Sequence, residues 1–274
     1  MEQRDRLTDW FRDYARVYVA FSGGLDSSTL LAAARRSSPD GSRPVTAVYT
    51  GGMLAPRGEE AEAARIAAET GVSFVTLRAG EEELADLLRN DRWRCYYCKK
   101  RKLSCILDWL GQYEAKLTGT SVLVDGSNAD DQKDWRPGTK AKEELGVRSP
   151  FAELGLGKDD IRHLARQWHL SVAEKPSSPC LASRIAYDLA ITPERLEQID
   201  VAEAKLHEYG FDVVRFRVLT PDRARIEVAA HRVNELLELE QNEKILESLK
   251  QLGFREIEID RDGFVSGKLN TFLR

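Results

Sequence analysis

The residues best suited to chemistry stand in three places. The first is Ser22-Gly23-Gly24-Leu25-Asp26-Ser27-Ser28, which joins an apolar run at 17–21 to a helix-forming segment at 26–36. Glycines at such a junction let backbone N–H groups close on an anion, and the helix amino terminus adds favourable partial charge. The hydroxyls of Ser22, Ser27 and Ser28 are further donors. An acid fits an anion site only if a cation comes with the anion, so Asp26 reads as a Mg2+ ligand. The lysine of a Walker loop is missing, and so is the G-x-G-x-x-G dinucleotide spacing.

The second place is cysteine. Cys95-Tyr96-Tyr97-Cys98 stands at the start of a predicted helix, where the helix dipole and the charges of Arg92, Arg94, Lys99 and Lys100 favour thiolates. Cys180 follows in Lys175-Pro-Ser-Ser-Pro-Cys180-Leu-Ala-Ser183-Arg184. Cys105 lies among Leu103, Ile106, Leu107 and Leu110 and reads as a small core residue. Spacing leaves three chemistries open. A 4Fe–4S cluster on three cysteines keeps one iron for an exogenous ligand such as sulfide. Zinc wants a fourth ligand, and the four histidines (163, 169, 207, 231) show no pairing with the cysteines. A redox pair explains 95 and 98 and leaves 180 idle.

The third place is arginine. Arg184 follows Cys180 closely, and Arg215 and Arg217 alternate along one face of a predicted strand. Their planar donor forks suit a phosphate; an exposed strand face is the plainer explanation for 215 and 217.

These residues need a frame. Short β-branched or aromatic runs at 17–21, 45–49, 73–77 and 121–124 alternate with helical segments at 3–15, 26–36, 59–70, 81–88 and 97–113. That alternation predicts a parallel sheet covered on both faces. Beyond Thr192-Pro193 the pattern changes to a helix ending before Gly210, a strand pair at 213–219 and 224–228, helices from 231 and 242, and a strand at 256–259. This is a small α+β unit of roughly 80 residues. The expected domains are 1–188, a doubly wound α/β domain, and 189–274, a substrate-binding or oligomerisation domain.

Composition narrows the class. The 274 residues carry 41 Lys+Arg against 45 Asp+Glu, a formal net charge of −4, which argues against a dedicated nucleic-acid binder. Hydrophobic residues at 42% and charged residues at 31% suit a soluble globular chain. No apolar run approaches the ~18 residues of a membrane span. The charged amino terminus, MEQRDRLTDWFRDYARV, is unlike a secretory signal, and four cysteines then point to a reducing, cytoplasmic compartment.

The glycine loop resembles the S-G-G-x-D-S signature of the PP-loop ATP pyrophosphatase superfamily. Its members bind ATP, hold the pyrophosphate end on the loop and adenylate a substrate oxygen. The resemblance implies a doubly wound, adenine nucleotide alpha hydrolase-like sheet with pyrophosphate as leaving group. Asp125-Gly126-Ser127-Asn128-Ala129-Asp130-Asp131, at the end of a predicted strand, matches a segment beside the nucleotide. It makes Asp125 a second Mg2+ or substrate-positioning candidate, although Asp-Gly alone is a common turn. Adding C-Y-Y-C-K-K (95–100), W-R-P-G-x-K-A (135–141), K-P-x-x-x-C-L-x-S-R (175–184) and Gly263-Phe264-x-Ser266-Gly267, the chain resembles the LarE family over nearly its whole length.

That resemblance implies an ATP-dependent sulfurtransferase. Family members adenylate the carboxylates of pyridinium-3,5-biscarboxylic acid mononucleotide and convert them to thiocarboxylates, toward the nickel-pincer nucleotide cofactor of lactate racemase. One branch sacrifices the sulfur of a single cysteine. Another binds a 4Fe–4S cluster on three cysteines and hands over a cluster-bound sulfide. Cys95, Cys98 and Cys180 match the second, which also implies a sulfide source. Matching positions imply that Ser183, Arg184, Arg215 and Arg217 hold the substrate phosphate, and associate Glu203 and Glu235 with metal. Asp134–Gly138, Lys140 and Arg148 look like an active-site loop without assigned roles, and a homo-oligomer is expected. A tRNA thiolase would want a basic surface, an ammonia-using synthetase no cysteine triad, and a regulatory nucleotide-binding module no intact loop acid.

Overall fold

Arg16–Phe21 forms β1, the strand around which the larger sheet is built. The computed structural model describes residues 3–79, 85–114, 117–132, 137–176 and 179–265. Val45–Gly51 is β2, Ser73–Arg78 is β3 and Ser121–Asp125 is β4. All four pair in parallel, in the order β3-β2-β1-β4. The helices are α1 (Gln3–Trp10), α2 (Leu25–Arg36), α3 (Glu59–Thr70), α4 (Ala85–Leu88), α5 (Arg94–Glu114), α6 (Gly138–Glu144), α7 (Pro150–Glu153) and α8 (Lys158–Gln167).

Strand alternation sends the two sides of β1 into two cores. Val17, Val19 and Phe21 pack with Leu30 and Leu31 of α2, Ile66 of α3 and Ile161 and Leu164 of α8. Tyr18 packs with Val48, Leu123 and with Leu103 and Ile106 of α5. Helices on both faces are what near-continuous apolar strands require. The helix expected at 59–70 forms over those residues, closed by Gly71 at φ 70°, which only a residue without Cβ adopts without strain. The helix expected at 3–15 stops at Trp10, because Tyr14 N bonds Phe11 O in a turn that leads into β1. The helix expected at 81–88 is described from Ala85 onward, its earlier part lying outside the described residues.

The smaller sheet, β5 (Val214–Thr220), β6 (Arg223–Val228) and β7 (Glu256–Ile259), is mixed. β5 and β6 run antiparallel, β6 and β7 parallel. α9 (Pro193–Glu208) lies against β5; Thr192 Oγ1 caps it by accepting from Arg195 N at 3.2 Å. α10 (Val233–Glu243) and α11 (Ile245–Lys250) complete the unit.

Contacts divide the chain into two units. Met1–Gly52, Arg57–Glu83 and Cys95–Ser178 belong to the first; Met53–Pro56, Leu84–Arg94 and the chain from Pro179 onward belong to the second. The second thus starts earlier than 189. Ala186 N bonds Val218 O, and Asn90 Nδ2 bonds the carbonyls of Ala186 and Leu189 at 2.8 and 2.9 Å, tying 179–189 to β5 and to the residues after α4. Among the described residues no helix is long and apolar enough to cross a membrane.

Candidate active site

The glycine loop joins β1 to α2 at the carboxyl end of the parallel sheet, where open α/β sheets bind ligands. Gly23 has φ 68°, and a Cβ there would stand 3.0 Å from Ala63 Cα, so glycine is required on both counts. Gly24 opens α2 with no side-chain cap, which leaves the first N–H groups of the helix for a ligand. Ser22 and Ser27 bond each other through their hydroxyls at 3.2 Å. Ser28 is buried, and its Oγ has no hydrogen-bond partner among the described residues.

Asp26 is not an open carboxylate. Lys158 Nζ donates to both of its oxygens, at 2.8 and 2.7 Å, and Asn128 Nδ2 lies 3.4 Å from one of them. The pair is partly exposed, 43% at Lys158 and 24% at Asp26. Lys158 thus neutralises the Asp26 carboxylate. Sequence reasoning missed Lys158, whose only local signal is its place at the start of α8.

Asp125 ends β4 and is buried. Lys99 forms an ion pair with it, Ser149 Oγ donates to Oδ1 at 2.6 Å and Ser127 Oγ donates to Oδ2 at 2.7 Å. Lys142, itself buried, donates to Ser149 Oγ at 2.8 Å. Burial raises the Asp125 pKa, but the Lys99 charge and these bonds outweigh it and hold the carboxyl below its usual value. With both oxygens engaged, Asp125 anchors a network rather than presenting a free metal ligand. Gly126 brings that network to the glycine loop, since a Cβ there would stand 2.9 Å from Ser27 N.

Cys95 and Cys98 occupy the first turn of α5, three residues apart and so on one helix face. Cys95 is exposed, Cys98 and Cys180 half-buried, and no cysteine is in a disulfide. The nearby lysines are spoken for: Lys99 pairs with Asp125, and Lys100 with Glu144 at 2.8 Å. Cys105 is half-buried rather than core, with Sγ 3.9 Å from Arg78 O; burial pushes its thiol pKa up. Cys180 precedes a single helical turn, Leu181–Arg184, and its carbonyl accepts from Ser183 Oγ at 2.7 Å and from Arg184 at 3.1 Å. Among the described residues no group of three or more His, Cys, Asp or Glu is arranged to hold a metal ion.

The arginines are buried, which overturns the exposed-face explanation. Arg184 is 1% exposed, Arg215 and Arg217 6% each. Arg184 makes a two-pronged pair with Glu203, at 2.9 and 2.8 Å. Glu203 Oε1 also accepts from Phe216 N at 2.9 Å, so it serves the edge of β5 and Arg184 and shows no open oxygen for a metal. Arg217 pairs with Glu227 at 2.8 Å and bonds Ser183 O at 3.1 Å. Arg215 lies 5.0 Å over the Phe264 ring. Burial, then the Arg184 and Arg217 charges, outweigh Glu203 and Glu227 and push the Arg215 pKa down to about 10. Crowded, buried guanidiniums of this kind suit an anion. Glu227 was not singled out in the sequence, although its register opposite Arg215 makes it the natural cross-strand acid.

Other expected residues lie elsewhere. Glu235 is on α10 and bonds Arg232 at 2.8 Å on an exposed surface. Arg148 bonds Glu153 and Tyr14 and stacks over Trp10, an arrangement of the α1–α7 surface. Lys140 lies 5.9 Å over the Tyr96 ring. Asp134, Trp135, Arg136, Ser266 and Gly267 fall outside the described residues.

Residues 10–132 match the asparagine synthase family model. The chain is 35% identical over 264 residues to the pyridinium-3,5-bisthiocarboxylic acid mononucleotide synthase of Lactiplantibacillus plantarum, covering 96% of this chain and 91% of that one. It is 32% identical over 270 residues to an uncharacterised protein of Synechocystis sp., covering 98% and 97%. An uncharacterised protein of Methanocaldococcus jannaschii is 30% identical over 171 residues, 62% of this chain and 64% of its own.

Proposed function

Because the chain belongs to the LarE family, within the PP-loop superfamily, and is an ATP-dependent sulfurtransferase, we propose that it converts pyridinium-3,5-biscarboxylic acid mononucleotide to its thiocarboxylates in nickel-pincer nucleotide biosynthesis. The observation that carries this reading is the buried trio Arg184, Arg215 and Arg217, in which burial first, and the neighbouring guanidiniums second, depress the Arg215 pKa. Arg184 and Arg217 are each paired with a buried glutamate, Glu203 and Glu227, and the net positive charge left among these five side chains supports a substrate phosphate, as the glycine loop supports the phosphates of ATP.

The glycine-loop N–H groups and the uncapped start of α2 hold the pyrophosphate half of ATP. Mg2+ at Asp26 would screen the phosphate charge as pyrophosphate departs. A substrate carboxylate oxygen attacks the α-phosphorus, the bond from that phosphorus to the bridging oxygen breaks, and pyrophosphate leaves with the electron pair. The acyl adenylate carbon is now electrophilic. A sulfur nucleophile adds there, the carbon–oxygen bond to AMP breaks, and AMP leaves. Backbone donors fixed before the reaction stabilise charge without reorganising. Ser183, whose hydroxyl is held by the Cys180 carbonyl, and the three arginines orient the mononucleotide through its phosphate.

The source of sulfur divides the reading. Three thiols outside any disulfide, two on one helix face, have the donor chemistry of a 4Fe–4S cluster with one iron open to sulfide. The described residues do not present them as an assembled metal site. Alternatively, Cys180 Sγ itself attacks the acyl adenylate. Loss of a Cα proton then breaks the Cβ–Sγ bond and leaves dehydroalanine. Mass spectrometry after incubation with ATP, Mg2+ and the dicarboxylate mononucleotide tests the function. The expected product has oxygen replaced by sulfur, and recovery of unchanged substrate with ATP intact contradicts the proposal. A Cys180 residue lighter by one hydrogen sulfide identifies the sacrificial route.

A further inference from the structure

Gly263 and Phe264 follow β7 and return the chain to the end of β6. Phe264 N donates to Val228 O at 2.8 Å. Val228 is in register with Val214 of β5, so Phe264 arrives beside the residue that precedes Arg215. The turn that brings it there is pinned. Asp262 N donates to Asp260 Oδ1 at 3.0 Å, and Gly263 N donates to Asp260 O at 3.3 Å. Gly263 has φ 76°, and a Cβ on it would stand 2.6 Å from Ala230 Cα, so only glycine lets this turn close.

That backbone seats the Phe264 ring on Arg215, with the guanidinium carbon 5.0 Å from the ring centroid. A guanidinium covered on its face donates in its own plane, and Arg215 Nη1 does so to Val214 O at 2.6 Å. The stack therefore leaves the edge of Arg215 to an anion. Burial of the two partners is unequal, because Arg215 is 6% exposed and Phe264 only half-buried. A ring that served as cover alone would gain most from full burial. Here part of an aromatic ring stays open beside the three arginines. A phosphate cradle and a π face side by side fit the two ends of a mononucleotide, whose phosphate and ring lie one ribose apart. A pyridinium ring is flat and permanently cationic, and an aromatic face attracts such a cation electrostatically. An uncharged ring of the same shape gains only the stacking.

Building on the reading of these arginines as the holders of the substrate phosphate, we propose that Phe264 is a specificity-determining residue that stacks on the pyridinium ring of the mononucleotide. Arg215 takes the phosphate through its edge, and Phe264 takes the ring through its face. The site thereby selects a charged ring over a neutral one of equal shape. Arg215 and the pyridinium are like charges, and the phosphate and the two ring carboxylates of the substrate offset their repulsion. Those carboxylates project from the edge of the ring, where a stacked phenyl group does not cover them.

The test is equilibrium binding of three probes to the full chain, as wild type, Phe264→Leu and Phe264→Tyr. The probes are pyridinium-3,5-biscarboxylic acid mononucleotide, its neutral 1,4-dihydropyridine form and ribose 5-phosphate. Wild type binds the pyridinium form about three- to thirtyfold more tightly than the dihydropyridine. Phe264→Leu loses that preference, Phe264→Tyr keeps it, and ribose 5-phosphate binds all three proteins equally. A preference for the charged ring that persists in Phe264→Leu overturns the proposal. So does an equal weakening of all three probes in Phe264→Leu, which would leave the ring as a structural cover of Arg215. Wild type that binds none of the probes overturns the phosphate-site reading itself, and the proposal with it. Should Phe264→Leu not fold, Phe264→Met decides by the same comparison.

Discussion

Lys99, directly after the second cysteine of α5, is ion-paired with the buried carboxylate of Asp125 at the end of β4. The C-x-x-C helix and the nucleotide-side end of the sheet are thereby fastened together. Removing one member of a buried pair strands the other charge, so Lys99→Met should cost about 3 kcal/mol in urea unfolding near neutral pH. The sign with pH follows from the lowered Asp125 pKa. In the wild type this carboxylate contributes stability above the ordinary aspartate pKa of about 3.9, and the contribution is lost as pH falls through the lower folded value. In Lys99→Met burial dominates and the carboxyl titrates high. The deficit of the variant should therefore shrink on acidification toward about pH 4. A deficit independent of pH would mean that packing, not charge, is what Lys99 contributes.

Arg215 is buried beside two other guanidiniums, and its pKa of about 10 lies below the ordinary guanidinium range. A base depressed in the folded state is a liability while it stays charged, and the liability lessens only as pH rises through that value. Arg215→Met should therefore melt at the same temperature as wild type or higher in phosphate-free buffer. The mononucleotide substrate should raise the melting temperature of wild type more than that of the variant, and KM should rise roughly tenfold or more from loss of a charge-assisted bond. Ligand stabilisation in Arg215→Met equal to that of wild type would place the phosphate elsewhere.

Gly126 has no unusual φ; its constraint is space, with a Cβ 2.9 Å from Ser27 N and 3.1 Å from Asp26 C. Gly126→Ala should cost about 1–3 kcal/mol of stability by pressing on backbone, shift the glycine loop, and reduce affinity for α,β-methylene-ATP at least tenfold. Such a drop reports a geometric fault of the order of one lost charged hydrogen bond. Unaltered binding would show that the two loops are not coupled through this contact.

The cysteines give a prediction that separates the two sulfur sources. After anaerobic reconstitution, wild type should hold iron and sulfide with broad visible absorbance, and Cys98→Ala should lose it. Cys105→Ala should keep it, since Cys105 lies against Arg78 O and outside the proposed ligand set. Equal iron in Cys98→Ala and wild type would exclude the cluster as the sulfur source.

Much of the frame was legible because it is local. β1, its glycine loop and α2 follow from an apolar run, two glycines and a helix-forming segment, and Gly71 and Thr192 announce the ends of their helices within a few residues. What escaped was the partner of each charge. Asp26 looked like an open metal ligand because Lys158, 132 positions away, is invisible to any local pattern. For Arg215 and Arg217 an exposed face stayed open beside the phosphate reading, because the alternation of β5 does not tell which layer covers it. The residues around Cys180 and Phe264 provide that cover, through Ser183 O on Arg217 and the Phe264 ring under Arg215. Glu203 was associated with metal when its carboxylate serves Arg184 and Phe216 N. Arg148 sat in a motif-like stretch, yet its guanidinium belongs to Glu153 and Tyr14.

The central claim is that this glycine loop drives adenylation of a carboxylate, with pyrophosphate leaving. Product analysis of ATP turnover in the presence of pyridinium-3,5-biscarboxylic acid mononucleotide tests it most directly. AMP and pyrophosphate should form in equal amounts, dependent on the carboxylate substrate and lost in Asp26→Asn. Formation of ADP and inorganic phosphate, or release of pyrophosphate indifferent to the mononucleotide, would contradict it.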